Sequence, residues 1–476
     1  MFWNLSLRGI FVLISILSLL GNVCLNAQTS LSILSQPIPS EPILNTPADS
    51  LDRYAVLPPK ALPAEMPPAG RPSNDIAAPN PGLPLAQLEQ IALARNPTLC
   101  QAAMRINAAR GQCQQVGLYP NPVAGYISEE MGTNGTAGKQ GAFVSQEFVT
   151  GGKLKFNRAV AGQEVQQAQW AWQSQKYRVL NDVRTIYFDV LFAQQTIEIN
   201  EQLVRIGEES VKTAQNLFAA KEVSRVDVLQ ASVEADTTRI QLQNARNRHQ
   251  AVWQRLTAVI GAPEMEPAAI AGRLEDNLPQ LSRSTTLEQL LATSPQLAEA
   301  RAGMERARCQ VARQYAERVP NVDLRATVEY DNEIKQNIAG VEAGLPLPFF
   351  NRNQGNIAKA QSQLIAAQNE VRRVDLDLRQ RFASIFEQYS NASQQVQKYT
   401  GDILPNASKT LDLVQSGYRQ GEFNYQTLLI SQRTYFQANL SYLESLRQLR
   451  LSAVALEGLL LSGGLQAAQD LSANGG

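Results

Sequence analysis

The sequence predicts a mainly α-helical chain with a small β part, built as a duplicated helix–strand–strand–helix–helix unit. Three observations carry this. Val179, Val183, Ile186, Val190, Ala193 and Ile197 step by four and three, the apolar stripe of a coiled-coil seam. In VPNVDLRATVEYDNE (319–333) the period changes to two: Val322, Leu324, Ala326, Val328 and Tyr330 alternate with Asp323, Arg325, Thr327 and Glu329, as in a strand with one apolar and one polar face. Finally, landmarks recur at an offset of 200 residues: Pro120-Asn121 and Pro320-Asn321, Phe218 and Tyr418, Leu229 and Leu429. That period is far longer than a solenoid unit and reads as duplication of a domain-sized unit.

The elements follow in order. Residues 1–27 read as a signal peptide: Arg8, the apolar run IFVLISILSLL (10–20), then small residues up to a cut after Ala27. The run is shorter than the roughly 20 residues of a comfortable membrane span. Cys24 offers the alternative of a lipid anchor, although GNVC fits the lipoprotein pattern poorly. Residues 28–84 form a Pro-rich leader, which composition predicts to be extended and mostly disordered. The first repeat, 85–262, opens with a helix interrupted at Pro97, continues with strands at PVAGYISEE and GAFVSQEFV, and reaches a long helix over 153–217, about 100 Å at 1.5 Å per residue. A break at AAKEVSR leads into a returning helix, 226–260. A linker, 263–284, separates this unit from the second repeat, 285–463. There one helix over TTLEQ…AERV, strands near 322–330 and 339–345, a long helix to about 417, a break at RQGEFN and a last helix repeat the order, and 464–476 reads as a loose tail.

Composition narrows the function. With 43 basic and 43 acidic residues and no charge block, nothing points to nucleic acid. The one histidine, His249, reads as a solvated helix residue and no Cys cluster accompanies it, so no metal or cofactor site is expected; the carboxylates lie along helices at ordinary salt-pair spacing, and no catalytic constellation is expected. Gly151-Gly152-Lys153 lacks the spacing of a phosphate loop and reads as a strand-to-helix turn. Cys100 and Cys113 share a helix about 20 Å apart and cannot bond. Cys113 and Cys309, at similar places in the two repeats, are left either as a pair or as buried small side chains. Four short strands cannot close a barrel, and two-faced strands suit a membrane barrel with apolar residues outward and polar residues toward a lumen. Closure then needs further copies: two give eight strands and three give twelve. On this reading Val322, Leu324, Ala326 and Val328 face lipid.

A family resemblance adds to this. YPNP…EE…G…SQEF…GGK at 119–153 and LPLPFFNRNQG at 345–355 are similar to the two strand pairs and helix entries of the TolC-like outer-membrane efflux family, and FAAKEVSRVDVLQA (218–231) and YRQGEFNYQTLLISQ (418–432) resemble its hairpin tips. The resemblance spans roughly 85–462, and its first strand pair is most like the branch serving metal-cation efflux pumps. It implies a homotrimer in the bacterial outer membrane, with a twelve-stranded β-barrel, a periplasmic helical tube (α-barrel), and export driven by an inner-membrane pump through a periplasmic adaptor. A secreted coiled-coil envelope scaffold without a pore is the alternative, and it requires no apolar outer face on the strands.

The resemblance also implies roles at the tips. Phe218, Lys221 and Gly421 fall where an adaptor docks, and of Lys221 and Gly421 only the glycine has a breaker's freedom. The family's gate joins Asp, Tyr and Arg and carries further aspartates at the aperture. Asp227 and Tyr418 match the first two, a Tyr hydroxyl being able to donate to a carboxylate. The arginine position holds Phe423, and the aperture positions hold Thr427 and Ile430. The expectation is a closed state held by apolar contacts among Phe423, Tyr425 and Ile430, with weak cation selectivity.

Overall fold

The structure, a computed structural model, describes residues 82–466; the expected signal peptide, the leader up to residue 81 and the end of the tail lie outside the described residues. Each repeat begins with a helix broken by its own sequence. Asn96 and Ser294 cap the helices that follow, accepting from Thr98 N and Leu297 N, and Pro97 and Pro295 fill first-turn positions where no N–H is needed. The result is α1 (Leu85–Arg95) and α2 (Pro97–Gln115) in the first repeat, α5 (Arg283–Thr293) and α6 (Pro295–Ala316) in the second. The second repeat was expected to open with one uninterrupted helix; Ser294-Pro295 divides it as Asn96-Pro97 divides the first.

Strands β1 (Val123–Glu129) and β2 (Lys139–Phe148) follow α2, and β3 (Val322–Asp331) and β4 (Gln336–Gly344) follow α6. The long helix α3 (Lys153–Ala219) runs 67 residues and returns as α4 (Arg225–Val259). Its counterpart was expected to run unbroken to about 417. Instead α7 (Gln354–Lys398) passes through a π-turn at Tyr399–Ile403 into α8 (Leu404–Arg419), before α9 (Tyr425–Glu457). Pro405 supplies the cause: it lacks an N–H and its ring crowds the carbonyl of Gly401, so the wider π-turn accommodates it.

The coiled-coil stripe forms the core. Val179, Val183, Ile186, Val190 and Ala193 are buried, and the first four pack in one cluster with Trp253 and Leu256 of α4, Leu378 and Phe382 of α7, and Leu446 and Leu449 of α9. Each large side chain so buried contributes about 1.5–3 kcal/mol. The linker is part of this body. Leu83 bridges Ile270, and Leu274 is fully buried. Tyr187 donates to Ala271 O, and Arg450, buried with its guanidinium 5.2 Å over the Phe188 ring, donates to the carbonyls of Leu274 (2.9 Å) and Asn277 (3.0 Å). Residues 82–84, at the end of the leader expected to be disordered, are thus tied to the linker. The tail expected to be loose from 464 also begins fixed: Gly463 and Gly464 donate their N–H groups to Asp182, and Gln175 donates to Gly464 O.

Cys100, Cys113 and Cys309 are all free, so the 113–309 pair does not form; the Cys113 thiol faces Arg158 O at 3.8 Å. His249 is half-buried rather than solvated, and desolvation holds its pKa below the usual imidazole value.

Glu299 on α6 has a carboxyl pushed up from 4.5 to about 7, mainly by burial, with Arg178 pulling it down. Its folded value exceeds its unfolded one, so the stability it contributes is complete below about 4.5 and is lost as pH rises through about 7. Glu299→Gln is therefore expected to flatten the fall in melting temperature between about pH 5 and about pH 8. An unchanged pH slope in the variant would count against this assignment.

Candidate functional site

The first candidate surface is the sheet. All four strands form one antiparallel sheet in the order β1-β2-β3-β4, so the two hairpins join through β2 and β3, with Phe148 opposite Val322 and Lys139 opposite Asp331. The register sorts the side chains. One face carries the rows Ala124–Val144–Ala326–Val341 and Tyr126–Ala142–Val328–Ala339, with Leu324 between Gln146 and Ala343. The opposite face carries Val123–Ser145–Arg325–Glu342, Gly125–Phe143–Thr327–Gly340 and Glu129–Lys139–Asp331–Gln336. Every Asp, Glu, Lys and Arg of the strands lies on this second face: Glu129, Glu147, Asp323, Glu329, Asp331 and Glu342 against Lys139 and Arg325, a net charge of −4. The first face carries none. Val322, Leu324, Ala326 and Val328 stand together on the uncharged face, on which Tyr126 and Val341 are 69% and 80% exposed.

On the charged face Phe143 lies flat across Gly125, where an added Cβ would sit 2.6 Å from the ring. The Arg325 guanidinium lies 4.2 Å from the Phe143 ring centroid. The outer edges of β1 and β4 have no strand partner among the described residues.

Where sheet meets helices, Gly151 and Gly152 take left-handed conformations and start α3. Lys153, buried, donates to Asn321 Oδ1 (2.7 Å) and lies 3.6 Å from Glu317; Asn321 donates to Glu147 Oε1 (2.6 Å), and Thr150 donates to Pro320 O. The strand-to-helix junction of the first repeat (β2 to α3) and the helix-to-strand junction of the second (α6 to β3) therefore share one polar cluster, and the GGK segment is the turn its spacing indicated.

The second candidate surface is the pair of hairpin tips. Both helices end in the same αL turn. Glu222 N donates to Leu217 O and Lys221 N to Phe218 O; Glu422 N donates to Gly417 O and Gly421 N to Tyr418 O. Lys221 has φ +63° and Gly421 φ +78°: the six-residue bonding pattern imposes the left-handed conformation on the lysine as well, although only the glycine adopts it freely. Phe218, Lys221 and Gly421 are exposed at these ends.

The expected gate set is not brought together. Asp227 sits at the third position of α4, where its carboxylate accepts from Ser224 N (2.9 Å) and Ser224 Oγ (2.8 Å); it completes a capping box instead of bonding Tyr418. Thr427, its counterpart, bonds Asn424 Oδ1 through N and Oγ1. The Tyr418 hydroxyl is buried without a partner among the described residues, and burial, then the Asp227 charge, raises its pKa. Tyr425 is buried with Tyr418, Leu428, Val414 and Ala231 in a small tip core, its phenol pushed up to about 12 chiefly by burial. Phe423 lies over Gly417, while Ile430 is 58% exposed. Within one chain Tyr425 is thus enclosed in the tip core, while Phe423 and Ile430 remain exposed. Sequence reading missed the Glu234–Arg433 pair, in which both guanidinium donors Nε and Nη2 meet one carboxylate between α4 and α9; its only sequence signal was an offset of 199.

A duplicated unit that joins a one-sidedly charged strand sheet to helices about 100 Å long defines a membrane channel with a helical extension. The chain belongs to the outer membrane efflux protein family, which it matches over residues 88–262 and 286–460. It is 30% identical over 378 residues to the cobalt-zinc-cadmium resistance protein CzcC of Cupriavidus metallidurans, covering 78% of this chain and 88% of that protein. Among solved structures it resembles the outer membrane protein VceC of Vibrio cholerae, with a TM-score of 0.66 at 18% identity over 79% of this chain and 96% of that one. It also resembles CusC, with a TM-score of 0.64 at 18% identity over 80% and 91%. At that identity the structural likeness establishes the fold.

Lys221 bears a strain that a glycine would not. Lys221→Gly is expected to stabilise the tip by up to about 1 kcal/mol, and Gly421→Ala to destabilise it by about 1 kcal/mol. Thermal melts of the two variants read the difference, and equal effects would contradict the turn geometry.

Proposed function

We propose that the protein is the outer-membrane channel of a tripartite efflux system, a passive conduit for solute supplied by an inner-membrane pump through a periplasmic adaptor. The observation carrying this is the segregation of all strand charges to one face of the sheet. A bilayer-facing strand surface excludes charge, at a cost of about 2–4 kcal/mol for Arg or Lys at the midplane, while a lumen accepts it. A scaffold without a pore would gain nothing from such a face.

Backbone pairing supports a homotrimer. The free edges of β1 and β4 cannot remain unpaired in hydrocarbon, and pairing β4 of one copy with β1 of the next in three copies gives a twelve-stranded barrel. The chain would sit in the outer membrane, with α3, α4, α7, α8 and α9 contributing to a periplasmic tube. The exposed tips at Phe218, Lys221 and Gly421 are the proposed adaptor-docking ends. With Tyr425 committed to the chain's own core, closure of the tube falls to Phe423 and Ile430 meeting their equivalents in neighbouring copies.

We infer divalent metal cations as the solute. Similarity to CzcC supports this, as does the net −4 that each chain would place in the barrel lumen. The uncharged aperture at Thr427 and Ile430 had suggested weak cation selectivity; the acidic sheet face moves the expected selectivity into the barrel. The chain's own residues need not hold a metal tightly for this, since conduction requires weak, transient binding.

Mass measurement on the detergent-purified protein is expected to give three chains per particle, and a stable water-soluble monomer would overturn the channel reading. Ala326→Arg is expected to destabilise the barrel by about 2–4 kcal/mol, and Thr327→Arg, on the charged face beside Gly340, by far less. Equal losses would count against this facing of the sheet. In planar bilayers under a salt gradient, the reversal potential is expected to show cation preference, reduced in an Asp323→Asn, Glu329→Gln, Glu342→Gln variant; unchanged selectivity there would remove the barrel as its source.

A further inference from the structure

Away from sheet and tips, an arginine-walled cavity of about 230 Å³ lies over the middle of α3, lined by Asp189, Arg248, Ala251, Val252, Arg255 and Arg447. Three helices build it: α3 supplies Asp189, α4 supplies Arg248 and Arg255, and α9 supplies Arg447. Asp189 is two residues from Tyr187, and successive helix residues turn by about 100°, so it projects from the side of α3 opposite the linker-holding tyrosine.

The charges in this wall do not balance. Asp189 is buried, and its Oδ1 accepts from Arg447 Nε at 2.7 Å; its other oxygen is 4.0 Å from Arg255. Glu444 accepts from Arg447 Nη1 at 2.8 Å. Arg248 has no carboxylate partner among the described residues. It is held instead by the Phe192 ring, whose centroid lies 5.4 Å from its guanidinium and 5.5 Å from that of Arg447. One aromatic ring and one buried carboxylate thus fix two of three guanidiniums around a space of several water volumes, at roughly 30 Å³ each. Guanidinium forks match the oxygens of phosphate and carboxylate in pairs, and an anion between them would relieve the mutual repulsion of the arginines.

We propose that this cavity is a binding site for a small multivalent oxyanion of the phosphate class, held by Arg248, Arg255 and Arg447 and oriented by Asp189 through Arg447. A bound oxyanion spans α4 and α9 across α3, so it ties the first repeat's hairpin to the closing helix of the second. The site is independent of the channel reading.

The test uses the full chain, assembled and purified in detergent, with inorganic phosphate as probe and chloride at matched ionic strength as control. Phosphate is expected to raise the melting temperature saturably, as ligand binding to the folded state does, and chloride is not. Arg248→Gln with Arg255→Gln is expected to weaken phosphate binding, read by titration calorimetry, by at least about tenfold. Arg239→Gln on the same helix, where the arginine is already paired with Glu208 and Asp236, is expected to bind normally. Should the double variant fail to assemble, Arg248→Gln alone carries the comparison. An equal response to chloride, or an undiminished phosphate response in the cavity variants, overturns the proposal.

Discussion

Backbone hydrogen bonding inside a bilayer is the constraint on which the rest depends. A strand placed there, as the proposed function requires, must pair on both sides, yet among the described residues one chain supplies four strands and leaves β1 and β4 without outer partners. Duplication makes four strands from two, and the register between β2 and β3 sets which side chains share a face. A slip of one residue there would exchange the faces of β3 and β4 relative to β1 and β2. It would carry Arg325 and Glu342 to the apolar side and Ala326 and Val341 to the polar one.

The rods hang from this sheet through the polar cluster of Lys153, Asn321, Glu147 and Glu317. Each repeat contributes to it, so the β2–α3 turn of the first is fixed to the α6–β3 turn of the second. Beyond the junction the repeats diverge. α3 continues for 67 residues, whereas its counterpart absorbs Pro405 through a π-turn. At the far ends the same αL turn closes both hairpins, and a separate small core around Tyr418 and Tyr425 joins them. Side chains that suggested a gate are used there for capping and packing, because helix starts and buried rings make local demands that must be met within the chain.

Electrostatics is likewise a matter of arrangement. The sequence is neutral in sum, with 43 charges of each sign. Folding separates them: acidic residues dominate one face of the sheet, while Arg248, Arg255 and Arg447 converge on α3 against Asp189. A balanced composition therefore yields two regions of opposite sign, each suited to a different class of ion.

The sequence by itself determined the kinds of element and their order, because these rest on local patterns. The four-and-three stripe from Val179 to Ala193 requires a helix face to be buried, and the alternation from Val322 to Tyr330 separates two strand faces, whatever the chain packs against. It also located the hairpin breaks, where Gly421 is a local signal. Only the tertiary structure decided what crosses long distances. Phe148 meets Val322 across 174 residues, uniting the two hairpins in one sheet. Tyr425 enters the tip core, Lys221 accepts a left-handed turn because Glu222 and Leu217 close the bonding around it, and arginines from α4 and α9 meet over Asp189. Periodicity records which side of an element is apolar; it does not record which distant side chain completes a hydrogen bond or shares a cavity, since those contacts are fixed by the packing of whole helices.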